Sequence, residues 1–221
     1  MTFRSFFFLL CLFFAIGLKA QEDALVTHVP FLEDQLYITT TYSIIYDQAY
    51  ASNTSGFSYS LSAGFLKDIP FSTKGNFAAA LGLGYSMDAL HHSFQLSESN
   101  GTVVFDAIDT NVSNPLRIHA IELPFELRWR AATSTKYAFW RVHLGMKATY
   151  NMSHTFTMDT ASYTHTKRLQ KWQYGLTLAA GYGAMNLYTY YGLTPLLKES
   201  ALGTSKLSAK VLKVGLVFYI L

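Results

Sequence analysis

Large apolar residues recur at every second position through most of this chain, the spacing at which one face of a β-strand repeats. Eight segments carry the pattern at about the 9–11 residues a tilted strand needs to cross a bilayer. The second is the clearest: Phe57, Tyr59, Leu61, Ala63 and Phe65 fall on one face, and Ser58, Ser60, Ser62 and Gly64 on the other. The first, near Leu36–Tyr46, sets Leu36, Ile38, Tyr42, Ile44 and Tyr46 against Tyr37, Thr39, Thr41 and Ser43. The third, Phe77–Met87, alternates Phe77, Leu81, Leu83, Tyr85 and Met87 with glycine and serine. In the fourth, near Ile118–Arg130, Ile121, Leu123, Phe125, Leu127 and Trp129 oppose Glu122, Glu126, Arg128 and Arg130. The fifth, Phe139–Tyr150, turns Trp140, Val142, Leu144, Met146 and Tyr150 outward and Arg141, His143 and Lys147 inward. The sixth spans Trp172–Tyr182. The seventh, Leu187–Leu193, is short and its facing is ambiguous.

The eighth ends the chain. Even positions from Leu212 to Ile220 share one face, and Lys213, Gly215, Phe218 and Ile220 match the terminal pattern by which the barrel-insertion machinery reads outer-membrane proteins. A soluble protein rarely exposes such an edge, whereas a closed barrel has none. The predicted fold is therefore all-β, an eight-stranded antiparallel up-and-down transmembrane barrel of residues 35–221, with outer-membrane lipid around it.

Connection lengths test this independently. With both termini periplasmic, every second connection should be a short turn: Lys67–Asn76, Ala131–Lys136 and Gly183–Asn186. The others, expected outside the cell, are Asp47–Ser55, Asp88–Pro115, Asn151–Lys171 and Thr194–Lys206, and all but the first are clearly longer. Trp129 and Trp140 fall outward at turn ends and Trp172 outward at a loop end, where amphipathic rings favour the membrane interface. The inward parity of most glycines makes room for large polar side chains in a narrow lumen that is filled rather than open.

Residues 1–20 read as a secretory signal peptide: Arg4, then an apolar run from Phe6 to Leu18, then Ala20 before the cut. The 13-residue run is too short for a spanning helix. Residues 21–34 would be a short periplasmic segment. Removing the signal removes Cys11, the single cysteine, and with it any disulfide or thiol chemistry. The 17 basic residues also lose Arg4 and Lys19, leaving 15 against 14 acidic, so nothing points to nucleic acid. A composition 50% hydrophobic but only 14% charged, without a second long apolar run, suits strands that need grease only at alternate positions.

The chemistry-bearing cluster is Glu122, Glu126, Arg128 and Arg130 on one strand facing Arg141, His143 and Lys147 on the next. It is either an active site or ion path at membrane depth, or a luminal ion-pair network, the reading adopted here because opposite charges on neighbouring strands pair. Glu122 or Glu126 with Arg141 or Lys147 are the expected couples. His91-His92-Ser93, with Asp88 nearby, could supply the base and nucleophile of a surface esterase or protease, but no GxSxG elbow accompanies it. His119, His154 and His165 lack metal-ligand spacing. The expectation is no catalytic residue, no metal and no cofactor.

The stretch His119-Ala-Ile-Glu122-Leu-Pro124-Phe-Glu126-Leu-Arg128-Trp129-Arg130, followed by Lys136-Tyr-Ala-Phe139-Trp140-Arg141 with Gly145 and Lys147, resembles the PorT family of outer-membrane barrels of Bacteroidetes-type bacteria. Gly64-Phe-Leu-Lys67-Asp68-Ile69-Pro70, Gly82-Leu-Gly84-Tyr85 and Asn186-Leu-Tyr188-Thr-Tyr190-Tyr191-Gly192-Leu193 are similar to the same family. The resemblance implies a component or assembly factor of the type IX protein secretion (gliding) system, with other secretion-system membrane proteins as partners and no catalysis. The alternatives are a small structural or adhesive barrel of the OmpX/OmpA type and a lipid-modifying barrel enzyme.

Overall fold

The computed structural model describes residues 34–46, 56–72, 76–92, 94–99, 102–107, 114–131, 140–158, 161–164, 169–198 and 209–220. The signal peptide, residues 21–33 and the connection 47–55 lie outside these. The strands are β1 (Gln35–Tyr46), β2 (Tyr59–Pro70), β3 (Phe77–His92), β4 (Phe94–Ser99), β5 (Thr102–Ala107), β6 (Asn114–Arg130), β7 (Trp140–Met158), β8 (Ala161–Thr164), β9 (Trp172–Tyr182), β10 (Met185–Gly192) and β11 (Lys210–Ile220). Eight of them, in the order β6-β3-β2-β1-β11-β10-β9-β7, form one antiparallel sheet that the β6–β7 pairing closes into a barrel. Strand β8 prolongs the sheet beside the far end of β7, and β4 pairs with β5 as a separate hairpin.

Register sets the barrel's dimensions. The ladder steps from Lys67 through Leu81, Phe125, Met146, Leu176, Tyr191 and Leu212 to Ile44 of β1, ten residues beyond Asp34, the position that the Gln35–Leu66 register continued by one residue sets opposite Lys67. A stagger of ten over eight strands, with about 3.3 Å per residue and about 4.8 Å between strands, gives a tilt of about 40° and a radius of about 8 Å. That interior is just wide enough to be filled by side chains. The start of β1, the end of β11 and the strand ends joined by connections 71–76, 131–139 and 183–184 lie at one end, the turn end; the strand ends joined by connections 47–58, 93–113, 159–171 and 193–209 lie at the other, the loop end. The tightest turn is Gly183-Ala184, where Gly183 has φ 64°, a left-handed conformation that glycine takes without steric cost.

Alternation became facing, strand by strand. Leu61, Leu83, Leu123, Leu144, Leu178 and Val214 are exposed on the outer wall, while Ser60, Ser86, Glu122, His143, Thr177 and Lys213 are buried inside. The ambiguous seventh segment resolves as β10, with Asn186, Tyr188 and Tyr190 inward. Three expected boundaries need correction. Lys67–Asn76 is not all turn, because β2 continues to Pro70 and buries Asp68. The Asp88–Pro115 loop loses both ends to strands, and Asp88 faces the lumen. The Asn151–Lys171 loop loses its first part to β7, whose register shifts opposite His119/Ala120 so that Met152 is the extra residue. A bulge of this kind reverses facing beyond it; His154 therefore lies opposite the inward-facing Ile118.

An apolar lid covers the lumen at the loop end. Leu90, Leu116, Ile118, Ala209 and Val211 of the wall pack against Leu169, Leu196 and Leu197 of the connecting segments. Backbone bonds hold the lid: Gln170 N–H donates to Leu196 O at 2.9 Å, and Leu196 N–H to Ala209 O at 2.7 Å. Leu169 and Leu197 form an isolated bridge.

Candidate functional site

Below the lid, the polar residues of the inner wall form tiers of charge. At the turn end, Asp68 accepts from Arg128 Nη1 at 3.2 Å and from Arg130 Nη2 at 2.8 Å, all three side chains fully buried. Arg141 Nη1 donates to Gly183 O at 2.9 Å. In the next tier, Glu126 accepts from Arg128 Nε at 3.0 Å and from Tyr219 Oη at 3.3 Å, with His143 Nδ1 3.5 Å away. The Arg128 guanidinium lies 5.7 Å from the centre of the Tyr219 ring. Near mid-height, Lys147 Nζ meets Glu122 Oε1 at 2.9 Å, and Tyr37 Oη donates to the other carboxylate oxygen at 3.2 Å. Tyr188 and Tyr190 present their faces to the same ammonium at 5.4 and 5.3 Å, which stabilises a desolvated cation. Under the lid, Lys213 Nζ bonds both oxygens of Asp88 at 2.8 Å, and the Ser60 hydroxyl bonds the same carboxylate. Hydroxyls line that wall: Thr39 with Ser62, and Ser43 Oγ with Ser60 Oγ at 3.2 Å.

Glycines let the rings in. A Cβ on Gly175 would lie 2.6 Å from Tyr190 Oη, and one on Gly84 would collide with Tyr37 Oη. Pro124 also faces inward and, having no N–H, interrupts the β3–β6 ladder between the Leu81–Phe125 and Gly84–Glu122 pairs. A void between the Glu126 and Lys147 tiers, lined among others by Tyr37, Thr177 and Tyr219, has about 10 Å³ of room for a water centre, roughly what one water needs.

The expected network residues are thus brought together, with one couple revised. Lys147 pairs with Glu122. Register sets Arg141 opposite Arg130 instead of opposite a glutamate; Glu126 forms an ion pair with Arg128, and Arg141 reaches a turn carbonyl. Sequence reasoning missed Asp68, Asp88 and the luminal role of Lys213. Their inward parity is readable, but apolar alternation fades before Asp68 and Asp88, which puts them in connections, and Lys213 falls within the terminal pattern. Gly215 faces inward, where a Cβ would lie 2.6 Å from Thr41 Cα, while Phe218 and Ile220 point outward. Trp129, Trp140 and Trp172 are exposed on the outer wall. Trp140 packs edge-on to Tyr182, and Trp172 stands beside Tyr150 and Tyr174. Tyr150 lies ten residues along β7 from Trp140; at the derived tilt this is about 25 Å, the height of an outer-membrane apolar band.

Asp88 is held by Lys213 and Ser60, and the His91 amide donates to Ser58 Oγ at 2.8 Å. The side chains of His92 and Ser93 lie outside the described residues, as does His165. Among the described residues no three potential metal ligands cluster.

The family described as outer membrane protein beta-barrel domain matches residues 31–198. The chain belongs to this family. An outer-membrane β-barrel of this size needs the outward apolar band and filled interior found here. No curated protein matches the chain. Among solved structures the barrel is similar to Ail, the attachment invasion locus protein of Yersinia pestis, at 10% identity with a TM-score of 0.36, covering 86% of this chain and 99% of that one.

Proposed function

We infer that this outer-membrane barrel is a non-enzymatic structural protein, with its termini and turn end in the periplasm and its long connections outside the cell. The observation that carries the reading is the lumen, occupied from the Asp68 tier to the apolar lid, in which each of the acids Asp68, Asp88, Glu122 and Glu126 bonds a buried cation. A wall held this rigidly suits a scaffold that presents its connections, and the outward orientation rests on their greater length.

A second reading, a component of the type IX secretion system, is favoured by the Glu-x-Pro-x-Glu-x-Arg-Trp-Arg stretch at Glu122–Arg130. Each residue of that motif also has a structural place: Glu122 on Lys147, Pro124 against Gly82, Glu126 on Arg128, Arg130 on Asp68, and Trp129 on the outer wall. Packing alone therefore accounts for it, and the structural reading is preferred. The test is a deletion strain assayed for exported cargo and for lipid A composition. Both should stay normal; lost export would establish the secretion role, and altered lipid A would establish an enzyme.

A further inference from the structure

Among the described side chains, the outer wall differs in charge between its two ends. At the turn end, Lys67 pairs with Asp34, whose carboxylate also accepts the Asp68 amide at 3.0 Å, so those two charges offset each other. At the loop end, Arg117 is exposed and His119 half-buried, both on the outer face of β6, because their neighbours Leu116, Ile118 and Ala120 are the buried, inward set. Half-buried Lys210 of β11, next to the inward Val211, ends at comparable height on the same outer face. Among the described side chains at that end the one acid is Asp88, which faces the lumen and is held by Lys213.

Height decides what these cations can meet. From the register and tilt, His119 stands within about 2 Å of the level of Trp172, and Arg117 about 5 Å above it. Trp172, Tyr150 and Tyr174 mark the edge of the apolar band, so the two residues sit where lipid chains give way to headgroups. They are two apart on one strand face, about 7 Å between side-chain origins. Tyr85 Oη lies 2.6 Å from His119 Nδ1, and the two rings stack at 6.1 Å, which fixes the imidazole and leaves Nε2 as its other polar atom.

We propose that Arg117 and His119, braced by Tyr85, form a site for the phosphoryl group of a phosphorylated glycolipid in the leaflet at the loop end. The guanidinium supplies a planar pair of donors that matches phosphate oxygens, and His119 adds a donor from the same face. The membrane is the source of the phosphate because the pair lies at the chain–headgroup boundary, where a lipid's acyl chains would run down the exposed Tyr85, Ile121 and Leu123. The assignment rests on the reading proposed above, in which the barrel spans the outer membrane with its loop end in the outer, glycolipid-bearing leaflet; vesicles with lipid A in both leaflets test the site whichever way the barrel inserts.

The full chain refolded into phosphatidylcholine vesicles tests this, with or without a few mole per cent of bisphosphorylated lipid A in both leaflets. The temperature at which the barrel loses its compact gel mobility should rise by several degrees with lipid A, since a ligand of the native state stabilises it. Neither dephosphorylated lipid A nor inorganic phosphate should produce the rise. The Arg117→Gln/His119→Gln pair should abolish the difference between vesicles with and without lipid A, each variant being compared with its own temperature in plain phosphatidylcholine; if that pair does not fold, Arg117→Gln alone should reduce it. No rise, a rise that survives these substitutions, or one reproduced by dephosphorylated lipid A or phosphate would overturn the proposal. Orientation is tested separately on whole cells, so the two can fail independently.

Discussion

Replacing Glu122 by glutamine removes the carboxylate that neutralises Lys147 near the middle of the barrel. The two charges are 2.9 Å apart with both side chains almost wholly buried. At an effective dielectric constant of about 20 their gross attraction is about 6 kcal/mol, offset in the native protein by the cost of desolvating both ions. Once the partner is lost, the desolvation of Lys147 is no longer compensated by an ion, and breaking a buried pair costs about 3–5 kcal/mol. The faces of Tyr188 and Tyr190 remain and return part of it, so about 3 kcal/mol is expected for Glu122→Gln. Removing both charges, as Glu122→Gln with Lys147→Met, should recover most of the loss, because an apolar side chain needs no counter-ion and still packs against the two tyrosines. Urea unfolding in phosphatidylcholine vesicles, followed by tryptophan fluorescence and gel mobility, measures each variant, and the double-mutant cycle isolates the coupling. A loss below about 1 kcal/mol for Glu122→Gln, or a double variant no better than the single, would refute the argument that this pair is a structural couple.

Other expectations follow from the same geometry. Met146→Arg or Leu178→Arg, on the outer wall near mid-height, should cost about 2–4 kcal/mol in the same unfolding assay, and a cost near zero would mean the face is wet. Gly175→Ala should destabilise the barrel by about 1–3 kcal/mol through overlap with the Tyr190 ring, and Tyr190→Leu should relieve part of that. Protease sites inserted in connections 93–113 and 159–171 should be cut on intact cells and one at Thr73 should not; the reverse pattern would invert the topology. Asp88→Asn should lower the unfolding free energy by an amount that a second change, Lys213→Met, largely restores, since Lys213 bonds both Asp88 oxygens.

Facing was legible in the sequence because it depends on nothing but a period of two. Leu61 outside and Ser60 inside, Trp129 and Trp140 at one end and Trp172 at the other, and the sorting of short turns from long connections all follow from local pattern. The cluster of Glu122, Glu126, Arg128 and Lys147 was legible for the same reason, as adjacent strands joined by a short turn must lie side by side. What parity could not tell was where strands stop and which residues meet across the lumen. Asp68 and Asp88 sit beyond the places where apolar alternation fades, and only the neighbouring strands' continued pairing draws them into the sheet. Asp88 meets Lys213 across 125 positions because a stagger of ten residues brings the upper part of β3 level with that of β11. Closure sets that stagger, a property of all eight strands together that no segment carries alone. The bulge at Met152 and the lid of Leu169, Leu196 and Leu197 belong to the same class. The lid forms where the wall ends and its last apolar residues bury one another, and the bulge where the β6–β7 register shifts within a continuing pairing, so tertiary structure alone decided them.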